Sequence, residues 1–108
     1  MSDAYRPNFY ILQGHEAVPV GDDVHQWARM FEATEDRRVA ETMVEDVRVS
    51  TVFLGLDHRF IDDGPPLLFE TMIFGGDGDK DQWRCSTWEQ AEAQHRRAVE
   101  LVRRRRHP

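Results

Sequence analysis

The sequence predicts one α+β domain in which two helices pack on a single-layer antiparallel sheet of about four strands. The first observation is the length of 108 residues, the usual size of one domain with one apolar core. The second is that two segments repeat apolar residues with the period of a helix. The third is that the segments between them alternate and are rich in β-branched and aromatic residues. No linker or internal repeat divides the sequence, so we expect a single domain over residues 1–108, with flexible ends at about 1–7 and 103–108.

The first third of the chain predicts a strand, an extended segment and a helix. "NFYIL" predicts a strand over residues 9–12. "HEAVPV" is also extended, but Pro19 confines it to a sheet edge or a connection. A helix is expected to begin at Asp22 or Asp23, because either side chain can cap free backbone N–H groups. Its apolar stripe has the spacing i, i+3, i+4, i+7 and consists of Val24, Trp27, Ala28 and Phe31.

The middle of the chain predicts the main strands of the sheet. "RRVAETMVEDVRVSTVFLGL" alternates as two strands would, and we expect a tight turn near Glu45 and Asp46 to join them. "PLLFETMIFGG" supplies the next strand, and a connection of about ten residues favours antiparallel pairing with the strand before it. These two strands carry apolar residues on both faces, which is typical of central strands with helices on either side.

The last third predicts a loop and a long helix. "GGDGDKDQWRC" is polar and glycine-rich, as loops are. The helix is expected over residues 88–102, after a capping box formed either by Ser86 and Glu89 or by Thr87 and Gln90. Its inward stripe consists of Trp88, Ala91, His95, Ala98, Val99 and Val102.

The charge of the chain is divided between an acidic body and a basic end. The net charge is −6, and without the four arginines at 103–106 ten basic residues stand against 20 acidic ones, a net of −10. Such a body repels nucleic-acid phosphates and favours basic partners. The terminal arginines are expected to be solvated and to complement the dipole of the helix end.

The composition also bounds the setting of the protein. The single cysteine, Cys85, excludes an intramolecular disulfide, and "MSDAYRPNFY" lacks the features of a secretory signal. No apolar run approaches the roughly 20 residues that a membrane span needs. We therefore expect a cytoplasmic protein that contacts no membrane.

One group of residues has the composition of an active site. Asp57, His58 and Glu70 combine carboxylates with an imidazole at neighbouring strand ends, the material of general base catalysis or metal ligation. A metal would need a third ligand from His15, Glu16 or His25, and none of the usual ligand spacings is present, so we expect no metal and no cofactor. In the structural alternative, His58 and the aspartates hold the loop through bonds to the backbone, and Glu70 meets an arginine across the sheet.

Three other features favour structural roles. Asp77, Asp79 and Asp81 have the spacing that begins an EF-hand loop, but Gln82 stands where that loop needs glycine, so we expect a solvated turn. Cys85 is expected to be buried or merely tolerated. His95, on the inward stripe, is expected to be a hydrogen-bonded core histidine. Walker A, GxGxxG and GxSxG motifs are absent.

Several segments resemble a group of short, uncharacterised proteins encoded by bacteriophages and prophages. They are "FYIL.G", "WARMFE", "RRVAETMVEDVRVSTVFLGLDHRF", "PLLFETMIFGG" and "STWEQAEAQH", which together cover most of residues 9–102. The resemblance implies accessory phage cargo and supplies a setting, not a reaction. In that setting we expect the protein to act by binding a host or phage protein, for example as an anti-CRISPR-like inhibitor of a host defence.

The preferred contact surface is the loop "DHRFIDDGPP", which is longer than a hairpin needs. The residues expected to bind the partner are Asp57, His58, Phe60, Ile61, Asp62 and Asp63. Two alternatives stay open: a small metal-dependent or acid/base enzyme centred on Asp57, His58 and Glu70, and a nucleic-acid binder that uses the C-terminal arginines. The acidic body argues against direct nucleic-acid binding, and the oligomeric state, a homo-oligomer included, stays open.

Overall fold

The computed structural model describes residues 9–21, 23–33, 37–59 and 64–107. Its elements are β1 (Tyr10–Gln13), β2 (Glu16–Pro19), α1 (Val24–Ala33), β3 (Arg38–Val44), β4 (Val47–Phe53), β5 (Phe69–Phe74), β6 (Gln82–Cys85) and α2 (Trp88–Arg106). The predicted α+β class is confirmed. The prediction of one sheet layer under both helices is wrong, because the described strands form a two-stranded sheet and a four-stranded sheet.

The smaller sheet is an antiparallel hairpin of β1 and β2 that carries α1. Asp23 caps this helix, since its Oδ1 accepts the backbone N–H groups of His25 at 3.0 Å and Gln26 at 3.1 Å. The bond from Gln26 is the main reason that the pKa of Asp23 lies below its usual value. The Trp27 indole donates to the carbonyl of Tyr10 at 3.0 Å and ties α1 to β1. The Trp27 ring also lies 5.1 Å from that of Phe9, and the Phe31 ring lies 6.3 Å from that of Phe53. These side chains hold α1 on the hairpin and on the adjoining end of β4.

The larger sheet is an antiparallel meander in the order β3-β4-β5-β6. The tight turn at Glu45 and Asp46 and the antiparallel pairing of β4 with β5 are confirmed, with Thr51 opposite Thr71. The interpretation of "GGDGDKDQWRC" as a loop is wrong at its end, because "QWRC" is the edge strand β6. Its alternating polar and apolar residues are a weak strand signal that four residues next to a glycine-rich turn do not make conspicuous.

Helix α2 covers one face of the larger sheet, and the described residues place no helix on the other. On that second face Arg48 pairs with Glu41 at 3.3 Å and lies 4.2 Å from the centre of the Phe74 ring. Arg84 pairs with Glu70 at 3.0 Å. The expectation of helices on both faces is therefore wrong, since charged side chains with long apolar stems lie on the second face instead.

Helix α2 begins with the second of the two predicted capping boxes. Thr87 Oγ1 accepts the backbone N–H of Gln90 at 3.1 Å, and Gln90 Oε1 accepts that of Thr87 at 3.2 Å. The helix runs four residues beyond the predicted end and includes the arginines at 103–106. The predicted stripe is confirmed in its buried members, Ala91, His95, Ala98, Val99 and Val102, while Trp88 is half-buried.

The apolar core under α2 is divided into two clusters. One lies toward the β3–β4 turn and consists of Val44, Val47, Val49, Ile73, Ala98, Val99 and Val102. The other lies toward the hairpin and consists of Tyr10, Phe53, Leu68, Phe69 and Ala91, with Phe31 and Trp88 packed against it. Along the strands and the helix, the positions between the two clusters are occupied by Thr51, Thr71 and His95.

We predict that Gly55→Ala destabilises the protein through contact with α1. Gly55 has φ +75°, and a Cβ there would lie 2.5 Å from Cε1 of Phe31. Gly14 also has a positive φ, +63°, but a Cβ there would have nothing within 4 Å. In urea unfolding we expect Gly14→Ala to cost about 1 kcal/mol for backbone strain alone. Gly55→Ala should cost at least about 2 kcal/mol more, because Phe31 must also move. Equal losses would contradict the packing of Phe31 over Gly55.

Candidate functional site

The carboxylate of Asp57 braces the two ends of the loop that follows β4. The residue is 5% exposed, and its Oδ1 accepts the backbone N–H of Arg59 at 2.9 Å and that of Leu67 at 3.0 Å. Leu67 lies on the far side of the loop, so one carboxylate joins its entry to its exit. These bonds are an Asx-type brace, in which the oxygen stabilises a backbone geometry.

His58 and Glu70 are engaged in separate structural contacts. His58 Nδ1–H donates to the carbonyl of Leu56 at 2.8 Å, and the His58 backbone N–H donates to the carbonyl of Leu67 at 3.0 Å. Glu70 lies three residues after Leu67, which is roughly 10 Å along an extended strand. There it pairs with Arg84 across the sheet.

The sequence-predicted catalytic group is therefore not assembled as a site. Asp57 and His58 hold the loop, and Glu70 meets an arginine, which is the arrangement of the structural alternative. Over the residues that the structure describes, no three His, Cys, Asp or Glu side chains are placed to hold a metal ion. Four of the expected partner-binding residues, Phe60, Ile61, Asp62 and Asp63, lie outside the described residues. The loop as a contact surface stays a prediction.

The acidic turn after β5 also serves the fold. Asp79 Oδ1 accepts the backbone N–H of Gly75 at 2.7 Å. Asp81 pairs with Arg105 of α2 at 3.5 Å. The expected solvated turn is thus a turn whose carboxylates bond the backbone and the end of the last helix.

The C-terminal arginines anchor the end of α2 to acidic turns. Arg106 pairs with Glu45 at 3.1 Å and with Asp46, and His107 Nε2 lies 2.6 Å from Glu45. The bond from Arg106, and then that from His107, lowers the pKa of Glu45. Three of the four terminal arginines, Arg104, Arg105 and Arg106, therefore have acidic partners within the chain. Fewer cations are left to contact a nucleic acid than the sequence implies.

His95 is the centre of a buried polar network between α2 and three strands. Its Nε2 lies 2.8 Å from Thr42 Oγ1 on β3, and its Nδ1 lies 2.8 Å from Thr51 Oγ1 on β4. Thr51 Oγ1 is in turn 2.7 Å from Thr71 Oγ1 on β5. Hydroxyls donate and accept, so the chain of bonds satisfies a neutral imidazole in either tautomer. The expected core histidine is confirmed.

The hydrogen-bond network around His95 has a structural role. His95 is 6% exposed and lies between the two apolar clusters. The atoms that bond its ring are threonine hydroxyls and not carboxylates. Burial disfavours the imidazolium and lowers the pKa of His95 below its usual value. Such a histidine joins the helix to the sheet without presenting a reactive nitrogen to solvent.

A groove of about 740 Å³ lies between β6 and the neighbouring side of α2. We call it the β6 groove. It is lined in part by Trp83, Ala93, Gln94, Arg97, Leu101 and Arg104. Trp83 is 37% exposed, although tryptophan is highly buried on average.

The free edge of the larger sheet lies beside the β6 groove, at the strand that carries Trp83. Asp81 and Cys85 direct their carbonyls to Ile73 and Leu68 on the β5 side, at 3.0 and 2.9 Å. Backbone groups of an antiparallel strand alternate in direction, so Trp83 also bonds toward β5, and Gln82 and Arg84 direct their N–H and C=O groups outward. The described residues place no strand beyond β6.

The charges of the β6 groove are mainly unpaired cations. Arg96 and Arg97 are exposed and make no ion pair within the described part of the chain. Arg104 and Glu100 approach to 3.7 Å, but both are well exposed, so this pair contributes little. Gln94 also lines the groove, and its Oε1 is buried with no hydrogen-bond partner among the described atoms.

Sequence reasoning missed this groove because half of it was assigned to a loop. The signal was present in two places. "QWRC" alternates as a strand, and Ala93, Arg97 and Leu101 recur at i, i+4, i+8 on a side of α2 adjacent to the core stripe. The two patterns indicate a groove only when β6 and α2 are known to lie side by side.

The comparisons with known proteins give no match. This chain matches no family model, no curated protein and no solved structure. The resemblance to phage-encoded proteins therefore stays a prediction. No helix among the described residues is long and apolar enough to cross a membrane.

We predict that His95 makes the protein less stable as the pH falls below about 6.5. Because the pKa of His95 is lower in the folded state, the unfolded chain binds a proton that the folded protein does not. The free energy of unfolding should fall by up to about 1.4 kcal/mol per pH unit in this window, until the folded-state pKa is reached. Urea unfolding of His95→Gln should lack this component between pH 7 and 5.5, while the exposed-site control His25→Gln should retain it. An unchanged pH dependence in His95→Gln would contradict the assignment.

We predict that Cys85 is a slow nucleophile. Burial raises the pKa of its thiol to about 11, and the Sγ lies 3.9 Å from the carbonyl of Thr87. Because the thiolate is the reactive form, alkylation by iodoacetamide should still be accelerating above pH 9.5 in the folded protein. The urea-unfolded chain should titrate near 8.5. Equal rates in both states at pH 8 would contradict burial of the thiol.

Proposed function

We propose that the protein acts by binding a partner protein through the β6 groove, and not by catalysis. The observation that carries this proposal is the free edge of β6, which lies beside an exposed tryptophan and unpaired arginines. The carboxylates and the histidine that suggested an active site are instead occupied in holding the loop and the sheet.

The composition of the β6 groove supports a protein partner. Tryptophan and arginine are the residues that most often dominate the binding energy of protein interfaces. Trp83 and Arg97 lie together in this groove, with Leu101 supplying further apolar surface. A sheet edge offers backbone groups to which another polypeptide can bond directly, which is a recurrent mode of peptide recognition.

The setting of this activity is also a proposal. We place it in the cytoplasm of a bacterial host, because of the resemblance to phage and prophage proteins. The partner would then be a host or phage protein, and inhibition of a host defence system, as by an anti-CRISPR protein, is a concrete form of the activity. The β6 groove replaces the loop after β4 as the preferred contact surface.

Retention of host proteins by the tagged protein tests the proposal. Arg97→Glu should reduce the retained partner about tenfold or more, because loss of a central arginine contact commonly costs 1.4 kcal/mol or more. Arg103→Glu is the matched control: it makes the same charge change on an exposed site of the same helix, outside the groove. It should retain the partner, and so should His58→Ala.

The outcomes separate the three hypotheses. Equal retention by Arg97→Glu and Arg103→Glu would contradict binding through the β6 groove. Loss in His58→Ala alone would support the enzyme alternative or the loop surface. Retention that disappears after nuclease treatment would support the nucleic-acid alternative.

A further inference from the structure

We propose that the partner contributes an extended acidic segment, which adds to β6 as a fifth strand of the larger sheet and lies along α2. This inference rests on the proposed function and deepens it, because it specifies the conformation and the charge of what the β6 groove binds.

The backbone of β6 selects an extended guest. The N–H and C=O groups of Gln82 and Arg84 point away from β5 and have no partner in the described sheet. A strand laid beside β6 places complementary groups opposite them at the normal spacing of about 4.8 Å. A helix uses its own backbone groups internally and cannot bond this edge. Since β6 has four residues, the contact involves a short segment of the guest.

The side of α2 that faces the β6 groove matches the repeat of an extended chain. Ala93, Arg97 and Leu101 line the groove at intervals of four residues, which is about 6 Å along a helix. Alternate side chains of a strand are about 6.8 Å apart. Successive inward side chains of the guest therefore meet successive residues of this helical stripe, and a β-branched or aliphatic side chain fits against Trp83 and Leu101.

The charge of the β6 groove selects acidic flanking residues. Arg96, Arg97 and Arg104 line it, against the single carboxylate of Glu100. The protein as a whole is negative, with a net charge of −6. At physiological salt, however, charges more than about 8 Å away are largely screened, so the local arginines dominate the groove. Guanidinium groups bind carboxylates in paired hydrogen bonds.

The amide oxygen of Gln94, which has no hydrogen-bond partner among the described atoms, also supports binding of a guest segment. Its Oε1 is buried without a hydrogen bond among the described atoms, which costs about 1 to 3 kcal/mol. Rotation of this side chain toward the groove that it lines lets the oxygen accept a hydrogen bond from a side chain of the guest. A single-stranded nucleic acid could use the tryptophan and the arginines, but it has no regular N–H and C=O groups for the edge of β6.

A peptide selection tests this proposal directly. A displayed library of random ten-residue peptides is selected on the tagged protein, and enriched peptides are then synthesised and titrated by fluorescence anisotropy. We expect acidic residues flanking alternate aliphatic ones. Arg97→Glu should weaken binding about tenfold or more, whereas Arg103→Glu should leave it unchanged.

Backbone methylation separates strand addition from simple charge attraction. In two versions of the best peptide, alternate N–H groups are N-methylated in one register or in the other. The version that blocks the N–H groups facing β6 should lose at least about tenfold in affinity, while the version that blocks the outward groups should bind nearly as the parent does.

Each other outcome overturns the proposal. Enrichment of basic peptides, no enrichment, or equal affinity of both methylated versions rules out an acidic fifth strand. Salt-sensitive binding of oligo-dT that Arg97→Glu removes, without peptide enrichment, identifies a nucleic-acid groove. If Arg97→Glu still abolishes capture of the host protein while acidic peptides fail, only this inference falls. If Arg97→Glu leaves that capture intact, the proposed function falls as well.

Discussion

The placement of α2 depends on the hydrogen bonds that His95 makes with Thr42 and Thr51. They join the helix to two strands, and the bond from Thr51 to Thr71 extends the link to a third. Apolar packing is non-directional and tolerates small rotations of a helix, whereas these bonds fix its rotation and its height over the sheet. They also determine which side of α2 lies beside β6, so the geometry of the β6 groove depends on a buried network that it does not contain.

The distribution of charge follows from the same framework. With its rotation fixed, α2 ends beside the turns that carry Glu45 and Asp81, and Arg105 and Arg106 pair there. Arg96 and Arg97 lie about two to three turns earlier on the helix and remain unpaired within the described chain. A protein with a net charge of −6 thus presents a basic groove. Composition alone pointed to a basic partner, while the local arrangement favours an acidic one.

The sequence was most informative where local pattern and tertiary packing agree. The capping box, the buried stripe of α2 and the turn at Glu45 are set by neighbours in the chain, and the alternation in β4 and β5 is long enough to fix their pairing. It was least informative for β6 and for α1. The four residues of β6 alternate too briefly to predict a strand next to a glycine-rich turn. The apolar stripe of α1 predicts a helix but does not indicate which sheet the helix packs on. The predicted active site is not assembled for another reason. Asp57, His58 and Glu70 lie at neighbouring strand ends in the sequence, but the strand register places Glu70 roughly 10 Å from the loop.

Amide hydrogen exchange of the protein, measured with and without the host protein that it captures, tests whether the partner binds at the β6 groove. We expect binding to slow exchange at Gln82 and Arg84, whose N–H groups face the open edge, and over residues 93–104 of α2. Exchange at Asp57 and His58 should not change. Protection confined to the loop after β4, with β6 exchanging as in the free protein, would contradict binding through the β6 groove.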